Sequence, residues 1–164
     1  VDAHNILELG TFSGYSALSM AEALTPNPKT GECELHTIEI FDELEDFILE
    51  MFSKSEQRDK LHLHIGDALD IIPQIDKTWD VCFIDADKRL YCEYYDLVLP
   101  RMRKGGLIIA DNTLWDGKVL EENPKESDLQ TRGLKAFNDK VASDKRVEKV
   151  ILPMRDGLSL IRVI

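Results

Sequence analysis

The sequence predicts a doubly wound α/β fold: a mostly parallel sheet with an antiparallel C-terminal hairpin. Three observations predict it. Short apolar runs alternate with helix-length segments along nearly the whole chain, the order that builds parallel β–α–β units. Several of these runs end on an acid or a glycine, as in Leu9-Gly10, Ile84-Asp85 and Ala110-Asp111, and ligands bind at such carboxyl ends near the switch in strand order. The last two apolar runs are separated only by Pro153-Met154-Arg155-Asp156-Gly157, which is short enough for a hairpin.

Each element has its own signal. Asn5 to Leu9 reads as a strand, followed by the tight turn Gly10-Thr11-Phe12-Ser13-Gly14 and a helix to about Leu24, where two prolines and a glycine break it. Glu34 to Ile40 is the second strand, with Leu35, Thr37 and Glu39 on one face. Phe41-Asp42-Glu43 opens a helix whose apolar positions are Leu44, Phe47, Ile48 and Met51. Leu61 to Ile65 alternates cleanly as a third strand, and a short helix then stops near Pro73. Trp79 to Asp85 is the fourth strand, and Tyr91 through Met102 is a helix with Tyr91, Tyr94, Tyr95, Val98 and Leu99 on its apolar face. Gly105-Gly106 restarts the chain into a fifth strand. A polar loop leads to a helix at Leu129–Ser143, and Val147 to Leu152 and Leu158 to Val163 close the chain as strands.

Composition narrows the function. The 164 residues suit one domain, residues 1–164, with a full core. A net charge of -11 and a pI near 4.8 argue against a nucleic-acid partner, because phosphate binding rests on clustered Lys and Arg. Small-molecule chemistry in the cytoplasm fits better. No apolar run reaches membrane-spanning length, and no signal-peptide pattern is present. Cys33, Cys82 and Cys92 have neither metal-ligand spacing nor an even count, and Cys82 reads as a reduced core thiol. His4, His36, His62 and His64 read as structural, although His62 and His64 share a face.

The chemistry concentrates at Asp85-Ala86-Asp87-Lys88 and Asp111-Asn112. If their strands are neighbours, Asp85 and Asp111 lie roughly 5 Å apart at one sheet edge. Two carboxylates that close repel, so a proton or a cation belongs between them. Asn112 adds a neutral oxygen, and an all-oxygen set suits a hard divalent ion. Either aspartate alone would be an ordinary loop cap; together, beside Lys88, they favour a metal site. Glu8 is an acid inside an apolar strand, which is costly unless it meets donors or a cation. Glu39 ends a strand where an acid commonly holds ribose hydroxyls. The Gly10-to-Gly14 turn lacks the spacing of a dinucleotide fingerprint, which counts against an NAD-type oxidoreductase.

Glu8-Leu9-Gly10-Thr11-Phe12-Ser13-Gly14-Tyr15-Ser16, Gly66-Asp67-Ala68-Leu69, Phe83-Ile84-Asp85-Ala86-Asp87-Lys88 and Ala110-Asp111-Asn112-Thr113-Leu114-Trp115 together resemble the cation-dependent O-methyltransferases, the catechol and caffeoyl-CoA O-methyltransferase family. The resemblance spans nearly the whole chain. It implies a Rossmann-like methyltransferase sheet with S-adenosylmethionine as donor and a small aromatic hydroxyl compound as acceptor. Glu8, Gly10, Thr11 and Ser16 would surround the methionine part, Glu39 the ribose, and Ala68 and Asp87 the adenine. Asp85, Asp111 and Asn112 match the family's metal ligands, with Mg²⁺ expected first and Ca²⁺ or Mn²⁺ as alternatives. Lys88 matches its general base, and Trp115 and Asp116 lie where its substrate loop begins. Family members carry N-terminal helices that cover the cofactor and help form a homodimer. This chain enters a core strand within five residues of its start, so those helices are expected to be missing from it. A remnant of the fold that binds cofactor without catalysis is the alternative that follows.

Overall fold

Successive residues of a strand point to opposite faces of a sheet, and here both faces are apolar. The computed structural model describes residues 1–164. On β1 (Asn5–Leu9), Ile6 packs with Ala17 and Ala21 of α1 (Tyr15–Glu22) and with Ile48 and Phe52 of α2 (Glu45–Ser53). Leu7 and Leu9 belong to the larger core on the other side. That core includes Ala68 of α3 (Ala68–Ile71), Tyr91 and Tyr95 of α4 (Tyr91–Val98), and Leu134 and Phe137 of α5 (Leu129–Ser143). Helices on both faces explain why the central strands are continuously apolar rather than alternating.

The remaining strands are β2 (Glu34–Glu39), β3 (Leu61–Ile65), β4 (Trp79–Ile84), β5 (Met102–Asp111), β6 (Val147–Leu152) and β7 (Leu158–Val163). They form one seven-stranded sheet in the order β3-β2-β1-β4-β5-β7-β6. The first five strands run parallel, and β7 is antiparallel to both β5 and β6. Strand order reverses between β1 and β4, so a crevice opens where the two halves diverge. No helix is long and apolar enough to cross a membrane.

Two boundaries and one apolar face depart most from the sequence reading. The helix expected from Tyr91 to Met102 ends at Val98 and tightens into a 3₁₀ turn at Leu99–Arg101, because Pro100 has no N–H for the helical ladder. Strand β5 begins at Met102, ahead of the glycine pair. Met102 pairs with Trp79 and the register then shifts before Val81 meets Leu107, so Gly105-Gly106 lies in an irregularity inside the strand. On α2, Phe47 is 47% exposed while Phe52 is buried, which rotates the apolar stripe away from the expected one. The three cysteines are free, and Cys82 is buried as expected.

Two contacts set up the functional edge. Tyr91 is buried, and its hydroxyl lies 3.2 Å from the carbonyl of Ile84 and 3.1 Å from that of Asp111, tying the ends of β4 and β5 together. Helix α5 starts at Asp128, whose carboxylate accepts from the Thr131 N–H. It docks through Gly133, where a Cβ would lie 2.5 Å from the Lys88 carbonyl oxygen.

Candidate active site

The carboxyl ends of β1, β2, β4 and β5 surround a cavity of about 920 Å³ lined by Gly10, Thr11, Ser16, Glu39, Ala68, Asp85, Asp87, Lys88, Asp111 and Trp115, among others. All ten were expected at the site from sequence. Asn112 and Asp116 line a neighbouring cavity of about 700 Å³, and Asp111 belongs to both. Glu8 lines neither cavity; it is fully buried behind Thr11 and Thr37.

Backbone geometry builds the floor. Gly10 has φ +95°, and a Cβ there would sit 2.2 Å from the Asp85 carbonyl oxygen, so no other residue fits between β1 and β4. Its N–H donates to Ile38 (2.9 Å), and the Asp85 N–H donates to Leu9 (2.9 Å). The chain then turns through Phe12 at φ 49°, where the Phe12 N–H donates to Glu39 Oε2 at 2.8 Å. Phe41 donates to Oε1 of the same carboxylate at 3.0 Å. Glu39 therefore holds both turns in place while keeping further lone pairs free.

Glu8 Oε2 accepts from the Thr37 hydroxyl at 2.5 Å, and Thr37 also meets Thr11 Oγ1 at 2.5 Å. Glu8 Oε1 has no hydrogen-bond partner. Burial pushes the Glu8 pKa up to about 7; the Ser16 and Thr37 hydroxyls pull against this, and the charges of Asp85 and Glu39 add to it. An orphaned buried carboxylate oxygen behind the cavity wall suits a ligand that brings a cation.

The acidic corner is as the strand pairing requires. Ile84 faces Ala110 across β4 and β5, so Asp85 and Asp111 follow at equivalent positions on one edge. Lys88 Nζ donates to Asp85 Oδ1 at 2.7 Å and stands 5.7 Å from the centre of the Tyr91 ring. Asp111 Oδ1 accepts from the Asn112 N–H at 2.7 Å, with Asn112 itself at φ 58°. Two carboxylates and an amide oxygen at adjoining strand ends, with one Asp85 oxygen already attracting an ammonium, are a donor set that fits a hard divalent cation.

Sequence reasoning missed several neighbours. Asp87, expected beside an adenine, lines the cavity but is gripped by Arg89, whose Nε lies 2.9 and 2.8 Å from its two oxygens. That guanidinium holds its pKa below the ordinary carboxylate value. Asp156 accepts from the Asp116 N–H and lines the second cavity with Asp111. It comes there because Asp111 pairs with Leu158 on β7, a strand neighbour that sequence adjacency does not reveal.

A doubly wound sheet carrying a deep crevice at its switch point, with acids at the ends of β2, β4 and β5, defines a Rossmann-like ligand-binding α/β domain. The particular family follows from comparison: residues 1–164 match the O-methyltransferase family, and the chain belongs to it. It is 38% identical over 167 residues to the catechol O-methyltransferase of Niastella koreensis, covering 96% of this chain and 72% of that one. It is 35% identical over 167 residues to probable caffeoyl-CoA O-methyltransferase 2 of Dictyostelium discoideum, covering 98% and 69%. Among solved structures, the Bacillus cereus O-methyltransferase in complex with SAH matches with a TM-score of 0.91 at 29% identity, over 99% of this chain and 75% of that one. The O-methyltransferase TomG of Streptomyces achromogenes, solved with SAM, matches with a TM-score of 0.89 at 29% identity, over 99% and 74%.

Proposed function

We propose that this chain transfers a methyl group from S-adenosylmethionine to a hydroxyl of a catechol-like aromatic ring, with a divalent cation held by Asp85, Asp111 and Asn112. The observation that carries this reading is the placement of Asp85 and Asp111 at equivalent ends of paired strands beside Lys88. Glu39, already oriented by two backbone N–H groups, has lone pairs left for ribose hydroxyls. Ser16 faces the ammonium end, with the Glu8 carboxylate behind the wall there, and Ala68 and Asp87 border the adenine. Trp115 walls the acceptor ring, while Asp116 shapes the second cavity beyond it.

A cation held by Asp85, Asp111 and Asn112 would supply Lewis acidity that favours ionisation of the acceptor hydroxyl. The protein's own residues do the rest. Once Lys88 Nζ has left Asp85 and released a proton to solvent, its neutral amine takes the hydroxyl proton. The acceptor oxygen's electron pair forms the new C–O bond as the donor's C–S bond breaks, leaving a neutral thioether. Charges cancel as the bond forms, so the barrier falls mainly through positioning by the cavity walls.

Calorimetric titration with S-adenosylhomocysteine and Mg²⁺, run beside a titration with NADH, tests the cofactor half of this reading. The expected result is saturable binding of the first and none of the second. Glu39→Ala is expected to weaken the former by about 1–3 kcal/mol, the cost of donors left unpaired. NADH binding in place of S-adenosylhomocysteine would overturn the assignment.

A further inference from the structure

Three of the four histidines that the sequence reading treated as structural, His36, His62 and His64, converge with an acid far from the acidic corner. Glu34 and His36 lie two apart on β2, and His36 pairs in register with His62 on β3, so all three project from the same patch. This patch is at the amino ends of these strands, opposite the edge that carries Glu39. One ligand atom from each of Glu34, His36 and His62 lies within 4.8 Å of the others. His36 Nε2 is 3.1 Å and His62 Nε2 is 3.4 Å from the same Glu34 Oε2.

These separations carry information. Tetrahedral zinc with ligands at 2.0–2.1 Å has neighbouring donor atoms roughly 3.3 Å apart. The two separations bracket that value. The His62 contact is also too long for a good hydrogen bond, so hydrogen bonding does not account for its approach. His36 Nδ1 lies 2.9 Å from His64 Nε2, which gives the ring an outer partner on the nitrogen facing away from Glu34. A metal-bound imidazole usually donates its second ring N–H to a carboxylate, carbonyl or water; here the His64 ring nitrogen takes that place. Stacking holds the set rigid: the His36 ring lies 4.6 Å from His62 and 5.1 Å from His64, with Trp79 edge-on at 5.4 Å.

We infer that Glu34, His36 and His62 form a second cation site, specific for zinc or a similar borderline transition metal. Two imidazoles and one carboxylate suit such an ion better than Mg²⁺, which prefers oxygen. Lys77 pairs with Glu34 Oε1, leaving Oε2 for the ion. Imidazole binds an ion through the lone pair of its neutral ring, and the carboxylate through its ionised oxygen. The His62 side chain is 44% exposed, which gives an ion an entry path and leaves its fourth position to water. Bound there, the ion clamps edge strand β3 to β2. The site is independent of the methyl-transfer reading and uses none of its residues.

The test is a Co²⁺ titration of the intact, untagged, metal-stripped protein, followed by visible absorption. The expected result is the strong band of four-coordinate Co²⁺, displaced by stoichiometric Zn²⁺. The band should be absent in His62→Ala and retained in Asp111→Ala. His64→Ala should keep the band but weaken affinity by about 10–100-fold, the usual effect of removing an outer partner. Zn²⁺ should also raise the melting temperature of the wild type and leave that of His62→Ala unchanged, a readout available even if Co²⁺ oxidises. Only weak six-coordinate absorption, or a band that survives His62→Ala or disappears in Asp111→Ala, would overturn the site.

Discussion

Glu8 brings a carboxyl group into the interior with one oxygen unpartnered, and its titration should be visible in stability. Its pKa moves from an ordinary 4.5 to about 7, so between those values the folded protein holds a proton that the unfolded chain releases. Stability must therefore fall as pH rises through that window, by on the order of 3 kcal/mol at full effect. Glu8→Gln removes this term. Urea unfolding from pH 4 to 8 should show the variant gaining on the wild type as pH rises; parallel curves would contradict it. At Lys88 the expectation is kinetic. Lys88→Ala should spare S-adenosylhomocysteine binding yet slow single-turnover methylation by about 10²–10⁴-fold, the usual share of general-base catalysis. Lys88→Arg should not restore it, because a guanidinium stays protonated. Full activity in Lys88→Ala would remove Lys88 as the base. The placement of most of these residues at one sheet edge was legible in the sequence, because each follows or ends an apolar run and the runs pair in parallel. The grip of Arg89 on Asp87 was not, since pairing two residues apart depends on side-chain conformations that no sequence pattern specifies.

Helix α5 shows how an element can matter to a site it barely enters. Gly133 lies in its interior, where alanine would ordinarily stabilise by about 1 kcal/mol. Here the added Cβ would come within 2.5 Å of the Lys88 carbonyl oxygen and 2.8 Å of Arg89 Cα. Overpacking of this kind costs about 1–3 kcal/mol, enough to cancel or exceed the helix gain. Gly133→Ala should lower the melting temperature and also slow turnover, because the backbone that must yield carries Lys88. A higher melting temperature with unchanged turnover would contradict the contact. The helix itself, Leu129–Ser143, was readable from its apolar period, as was the pairing of β4 with β5. The contact was not readable, because a lone glycine in a helical pattern looks like a defect until the packed neighbour is known. For the same reason Gly105-Gly106 read as a strand start rather than an irregularity within β5: sequence marks where backbone freedom is used and leaves its purpose open.

Across the whole molecule, the sheet gathers carboxylates from distant parts of the chain to one edge, in a protein whose net charge is already -11. The alternation of apolar runs with helix-length segments made the parallel fold legible, and the hairpin signal made the antiparallel end legible. Only the strand order shows that β7 lies between β5 and β6, which brings Asp156 alongside Asp111 and Asn112. Asp111→Ala should therefore leave the metal-free fold as stable as the wild type or more so, because crowded carboxylates repel. Mg²⁺ at 100 times its dissociation constant should stabilise the wild type by about 2.7 kcal/mol and the variant not at all. The most direct measurement of the central claim is transfer of a labelled methyl group from S-adenosylmethionine to catechol, with chelator, then with Mg²⁺ restored, in the wild type and Asp111→Ala. The expected result is wild-type transfer that stops with chelator and returns with Mg²⁺, and no transfer by the variant under either condition. Transfer that persists in chelator, or that survives in Asp111→Ala, would contradict a cation held by Asp85, Asp111 and Asn112.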